Sequence, residues 1–449
     1  MSLFRRALPS AALAMLLCGA MPAGAETLAS ALSSAYSNNP TLNAARAQTR
    51  ATDEGVPQAL SGYRPTISAF AGIGASTTEG IGRQDANVGL EVSQPLFRGF
   101  RTENGVQAAE ALVLASRESL RNTEQIVLLD AVSAYMNVIR DLAIIDLREA
   151  NIRFLTEQVR AATDRFDVGE GTRTDVAQAD ASLAAAQSEL SLARANLAAD
   201  RGIYRQVIGV DPNGLAAPSA ASGIPGNFEE ALSSARTNHP AILSATYAAD
   251  AAAYNAEVIE GELLPTVSLD GTLTQSWGNG SLGNSESTAA EVGVNVRIPI
   301  YEGGAVYSRV REAKEVLGQR RIEVDIARDQ VQASLIAAWG TLEASRAQTI
   351  AARAQVEAQQ LALSGLIEEQ RVGQRTTLDV LDAQSDLINA RVLQIQAERD
   401  TVVASYAVLS AMGRLAAGEL GVAQTTYQPE EHYEAVRDAW GGLRTPDGR

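Results

Sequence analysis

The feature that most constrains this chain is that it carries one plan twice. ALSSA at 31–35 returns at 231–235, Asn38-Asn39-Pro40 returns as Asn238-His239-Pro240, and Pro65-Thr66-Ile67-Ser68 returns as Pro265-Thr266-Val267-Ser268, all at an offset of 200. Farther along the offset is 204: Pro95 matches Pro299, Phe97 matches Tyr301, Tyr135 matches Trp339, Val168-Gly169 matches Val372-Gly373, Asp175 matches Asp379 and Gly209 matches Gly413. The four extra residues therefore fall opposite the stretch between about 69 and 94. A repeat of this kind builds each structural element twice. The first copy spans 26–210 and the second 228–416. Between them 211–227, rich in Pro, Gly, Ser and Ala, reads as a connection. After them 417–449, with Pro429, Gly441, Gly442 and Pro446, reads as a loosely attached tail, disordered toward Arg449.

Residues 1–25 have the form of a secretory signal peptide: Arg5 and Arg6, an apolar stretch from Ala11 to Ala20, then Ala23-Gly24-Ala25. Cys18 follows Leu16-Leu17 rather than a small residue, which disfavours a lipidated N-terminus. Cleavage before Glu26 would discard this single cysteine, leaving no thiol or disulfide chemistry. It would also remove two arginines and no acid, taking the net charge from −16 to −18, a balance that excludes a nucleic-acid partner. No other stretch has the ~18 consecutive apolar residues of a spanning helix, so the mature chain is either soluble or crosses a membrane as strands.

Four segments decide between these. Ile67, Ala69, Ala71, Ile73 and Ala75 alternate with Thr66, Ser68, Gly72, Gly74 and Ser76, with Phe70 as the exception. Val88, Leu90 and Val92 oppose Asn87, Gly89, Glu91 and Ser93. The second copy repeats the device in 267–274 and 291–298. Such alternation fits a half-buried sheet or a barrel with lipid outside and water inside. Strands of about ten residues, polar faces carrying Glu91, Asp270, Glu291 and Arg297, and aromatics near the ends at Tyr63, Phe97, Trp277 and Tyr301 favour the barrel. The strand pairs then occupy 65–97 and 265–300, with polar, Gly-rich loops at 77–86 and 278–289 facing the exterior. Four strands cannot close a barrel, and an open edge in lipid leaves backbone groups unpaired. Two chains would give a barrel filled by its own side chains, whereas three leave a lumen.

Beyond each strand pair the period changes. Ile145, Ile152, Val159 and Phe166 fall seven apart, as do Val176, Leu183, Leu190, Leu197 and Tyr204, and Leu381, Ile388, Ile395, Val402 and Leu409. These are coiled-coil seams within helical hairpins at 101–208 and 305–414. The first helix of each hairpin would be roughly 100 Å long. Abundant Ala allows close helix approach and leaves no bulky core, which suits a wall one helix thick.

Over Glu26 to about Leu415 this plan resembles the TolC family of outer-membrane efflux and export channels, most specifically in the turn RVGQRTTLDVLDA at 371–383 and its partner FDVGEGTRTDV at 166–176. The resemblance implies a mainly α chain with a transmembrane β-barrel: a homotrimer with a twelve-stranded barrel in outer-membrane lipid and a coiled-coil helical tunnel through the periplasm of a Gram-negative bacterium. It further implies the exit duct of a tripartite efflux or type I secretion system, opened at its tip by an adaptor protein and an inner-membrane transporter.

By the same resemblance Asp379 and Asp382 line the pore constriction. Their i, i+3 spacing by itself puts both on one helix face, and threefold symmetry would make two rings. The residues equally allow a carboxylate that complements the positive end of a helix beginning near Thr377. The family's closed-state lock maps onto Arg375, Asp175 and Thr174, although Thr174 and Asp175 can also be read as a helix N-cap. A Tyr that TolC-like tips carry two residues before Val-Gly is Gln370 here. Val168-Gly169 and Val372-Gly373 supply the left-handed turn between helices, and the resemblance makes them the tips that meet the adaptor.

An enzyme is not indicated. The only histidines are His239 and His432, and His239 occupies the helix-entry position of the Asn-Asn-Pro repeat. Neither a cofactor nor a metal site is evident. The competing reading is a periplasmic coiled-coil adaptor or tether without a pore, which would carry a single helical hairpin between small β-domains.

Overall fold

The computed structural model describes residues 26–78, 81–280, 283–422, 427–446 and 448. The signal-like leader at 1–25 and residues 79–80 and 281–282 lie outside the described residues. The first copy contains α1 (Leu28–Asn38), α2 (Pro40–Asp53), α3 (Gly55–Leu60), β1 (Thr66–Thr78), β2 (Ile81–Phe97), α4 (Arg101–Asp167) and α5 (Arg173–Ile208). The second contains α6 (Phe228–Asn238), α7 (Pro240–Glu260), β3 (Thr266–Gly280), β4 (Gly283–Arg297), α8 (Ala305–Arg371) and α9 (Thr377–Ala411), and α10 (Pro429–Arg437) follows.

Each copy breaks its entry helix at the repeated proline. Asn39 Oδ1 accepts from the backbone N–H of Thr41 at 2.9 Å and of Leu42 at 3.2 Å, and His239 Nδ1 accepts from that of Ala241 at 3.2 Å. Pro40 and Pro240 sit at the first helical position, where no donor is needed. Burial lowers the pKa of His239, and only a neutral ring nitrogen can accept, so this histidine is a cap.

The strands form one antiparallel sheet in the order β1-β2-β3-β4. At 13, 17, 15 and 15 residues they are longer than the alternation suggests. Much of 77–86 and 278–289, expected as loops, is therefore strand. The pairings Thr78↔Ile81 and Gly280↔Gly283 show where the extra residues went: the second hairpin is two residues longer on each side of its turn.

One sheet face carries the row Ile67, Val92, Gly271, Val292, and the other the row Ser68, Glu91, Thr272, Glu291. On the apolar face Ile73 is 93% exposed and Val292 78%, a penalty in water that lipid removes. On the polar face Asp270 accepts from Ser93 Oγ, Ser268 Oγ and Asn295 Nδ2 at 2.6, 2.7 and 2.7 Å. Phe70, the exception to the alternation, lies over Gly89 across the ladder, where a Cβ would come within 2.5 Å of its ring. Its ring shields the backbone that glycine leaves bare.

No described helix is long and apolar enough to cross a membrane. The helices α4 and α8 run for 67 residues each, roughly 100 Å. Buried Ala179, Ala186 and Ala193 alternate with the heptad positions Leu183, Leu190 and Leu197 in α5, so the pair α4/α5 packs closely. The bulkiest core lies at mid-height, where fully buried Tyr135 and Tyr204 pack with Leu32, Leu128 and Leu409 among α1, α4, α5 and α9.

The tail departs from expectation. Instead of hanging loose, α10 packs against α2 and α3. His432 Nδ1 lies 2.9 Å from the buried carboxylate of Asp53, and Arg117 pairs with Glu430 at 3.2 Å.

Candidate functional site

The candidate site lies at the turns from α4 to α5 and from α8 to α9. Both end their first helix identically. Gly169 and Gly373 take φ of 82° and 79°, the left-handed region that favours glycine. Their N–H groups donate to the carbonyls of Phe166 and Gln370 at 3.0 Å, while those of Glu170 and Gln374 reach Arg165 and Glu369 at 2.8 and 2.9 Å. These paired bonds satisfy the last carbonyls of each long helix. Val168 and Val372 are left exposed at the extreme tips.

Both second helices also start identically. The N-caps are Thr172 and Thr376, and their partners in reciprocal capping boxes are Asp175 and Asp379. Asp379 Oδ2 accepts from Thr376 N and Oγ1, each at 2.9 Å, and Thr376 Oγ1 accepts from Asp379 N at 3.2 Å. These bonds hold both carboxyls below the usual range, with Arg375 adding to the effect at Asp379 and Arg165 at Asp175. The cap is thus Thr172, not Thr174, which lies exposed in the first turn of α5.

Asp382 is exposed one turn beyond Asp379 and borders a groove between α4, α5 and α9 that Arg148, Asn151, Glu189 and Gln384 also line. Asp386 continues the acidic face at the next turn. Behind that face α9 is fastened to α4. Gln384 Nε2 donates to Asn151 Oδ1 at 2.8 Å in a buried amide pair, and Arg399 Nε donates to Asn137 Oδ1 at 3.0 Å. Leu381 joins the α4/α5 cluster of Leu155, Ala162, Ala179 and Ala186.

Within one chain Arg375 Nε donates to Glu369 Oε2 at 2.8 Å, and Asp175 is engaged by Thr172. Gln370, standing where the family carries Tyr, donates to Thr377 Oγ1 at 3.3 Å. Sequence reasoning missed Glu369, Thr172, Thr376 and the Asn151–Gln384 pair. Only the capping boxes carried a visible signal there, a Thr three residues before an Asp.

The family described as Outer membrane efflux protein matches residues 31–209 and 231–414, both repeats nearly end to end. The chain belongs to that family. It is similar to the outer membrane efflux protein BepC of Brucella suis biovar 1 (strain 1330), at 48% identity over 98% of this chain and 97% of the relative. It is also similar to the outer membrane protein TolC of Vibrio cholerae, at 26% identity over 87% and 91%. The solved structure of the Campylobacter jejuni CmeC outer membrane channel shares the fold, with a TM-score of 0.77 at 17% identity, covering 92% of this chain and 89% of that one.

This protein is therefore an outer-membrane efflux channel of a Gram-negative bacterium, with its helical part in the periplasm. The pore-less adaptor reading is set aside. Members of the family are channels rather than enzymes, and they work with adaptor and inner-membrane pump proteins.

Proposed function

We propose that three copies of this chain close one twelve-stranded barrel and one helical tunnel, a passive exit duct of a tripartite efflux or type I secretion system. The observation that carries this is the joint between repeats. Within the chain β2 of the first hairpin pairs with β3 of the second, in the register Leu90↔Leu273, and this pairing draws β2 on to Phe97. The equivalent residues of the second hairpin, Ile298 to Tyr301, have no strand partner among the described residues, and Ile300 is 94% exposed. Applying the internal offsets to the same joint pairs β4 with the sibling's β1 and sets Val294 opposite Ile73 of the sibling chain. Both residues lie on the apolar face, as continuity with lipid requires.

At the tips, Asp379 and Asp382 form the constriction as two rings of three carboxylates, which favour cations. Arg375 locks the closed state through Asp175 and Thr174 across neighbouring hairpins. Its bond to Glu369 is an exposed pair that contributes little, so exchanging it costs little. Val168, Gly169, Val372 and Gly373 receive the adaptor, and the docked inner-membrane transporter supplies the energy. In planar bilayers, Arg375→Ala combined with Asp175→Ala should raise single-channel conductance several-fold. Unchanged conductance would remove the lock from these residues.

A further inference from the structure

The C-terminal segment is fastened along its length by aromatic rings seated on arginines of the repeats. Arg46 of α2 lies 5.3 Å from the Tyr427 ring, Arg117 of α4 lies 5.2 Å from the Tyr433 ring, and Arg64 lies 4.6 Å from the Trp440 ring. Arg64 Nη1 also donates to the Ala439 carbonyl at 2.7 Å, fixing the chain on both sides of the Ala439–Trp440 peptide. The last of these arginines stands immediately before Pro65 and β1, so residues 439–440 of the tail lie at the entry to the first strand.

That position has a definite depth. Arg64 is three residues from Ile67, the first residue of the lipid-facing row, and three residues of extended chain span at most about 10 Å. The layer between hydrocarbon and bulk water is roughly 5–8 Å deep on each side of a bilayer. Trp440, held at this level by Arg64, is 74% exposed, Leu443 three residues on is fully exposed, and Tyr63, the chain neighbour of Arg64, is half-exposed. Gly441 and Gly442, which separate Trp440 from Leu443, leave the backbone free to turn toward the membrane. A tryptophan with one face on a cation and the rest of its ring bare matches the headgroup region, where amphipathic rings concentrate.

We propose that residues 440–443 are an interfacial anchor, with Trp440 and Leu443 seated among the phospholipids of the periplasmic leaflet and continuous with the lipid band of the barrel. The anchor would hold α10, and through it α2 and α4, at a fixed height below the membrane. The inference rests on the outer-membrane reading above, and its test separates the two.

The leader contains the only cysteine, so nitroxide labels can be placed singly on the mature full-length chain at Leu443→Cys, Ile67→Cys and Val372→Cys. In proteoliposomes of phosphatidylethanolamine and phosphatidylglycerol, power-saturation EPR compares collisions with oxygen, enriched in lipid, against those with a water-soluble nickel chelate. The Ile67 label should favour oxygen strongly and the Val372 label the chelate. The Leu443 label should lie between them, with an oxygen-to-chelate ratio at least threefold above that of Val372, falling toward it when Trp440→Ala is added.

A Leu443 label as aqueous as Val372, one shielded from both reagents by a sibling chain, or one indifferent to Trp440→Ala would overturn the anchor. A Val372-like result at Ile67 would instead overturn the membrane reading itself.

Discussion

The two helix-to-helix turns have the same backbone and different charges. Gly169 and Gly373, the Thr172–Asp175 and Thr376–Asp379 boxes, and the bonds that close the preceding helices superpose by the 204-residue offset. Where the second turn has Glu369, Gln370, Arg375 and Asp382, the first has Arg165, Phe166, Gly171 and Gln178. Duplication thus supplied two equivalent scaffolds, and only the second received the extra acid, Asp382, on the helix face and an arginine at position 375, where the first has Gly171. Capping needs one carboxylate in each copy, and the proposed constriction uses the additional carboxylate found in one.

The sharpest way to break this comparison is to neutralise one turn at a time. Asp379→Asn with Asp382→Asn should lower the cation-to-anion permeability ratio several-fold, read from reversal potentials in a salt gradient, and weaken block by multivalent cations. Asp175→Asn should leave that ratio nearly unchanged. An equal loss from either turn would mean that the filter is shared.

The backbones should respond alike. A Cβ at Gly169 or Gly373 meets nothing within 4 Å, so alanine at either costs only the left-handed strain of roughly 1–2 kcal/mol. Hydrogen exchange of the flanking helix ends should accelerate equally in the two variants. A clear inequality would show that one turn is held by contacts the other lacks.

Smaller still is the effect of the caps. Thr172→Ala and Thr376→Ala should each cost about 1 kcal/mol of local stability. Because Asp175 and Asp379 have folded pKa values below their ordinary ones, their contribution is fully present above about pH 4 and fades as pH falls through the depressed values. Exchange protection of the first turns of α5 and α9 should decline together on acidification, and in the Thr→Ala variants at higher pH than in the parent. A tip whose protection ignored pH would not owe it to the box.

How far the sequence reveals these features follows from the range of the interactions. The duplication, the heptads and the alternating segments are local patterns, and each became the element that its period implies. The inserted residues were placed correctly because register in a hairpin is additive. Strand ends were not legible, since beyond the lipid band both faces meet water and nothing enforces alternation along 81–86 or 283–289.

The tail misled because its composition is that of a loop, while its anchors are rings and arginines more than 300 positions apart, such as Arg64 with Trp440. At the tips, Asp175 and Asp379 both turn out to be the acidic partners of helix capping boxes. The cap of α5 was placed two residues late, at Thr174, because the two threonines are chemically equivalent and the three-residue spacing to Asp175 that marks Thr172 was not used.

The central claim is that the joint inside one chain is repeated between chains. It is tested most directly by placing Ile73→Cys and Val294→Cys together in one chain and oxidising the protein in outer membranes. Directly opposed side chains on antiparallel strands approach to about 5 Å between Cβ atoms, close enough to cross-link. The account predicts a covalent ladder ending at three chains, reversed by reductant and absent from either single variant. Chains that stay separate, or that dissolve as monomers without detergent, would contradict it.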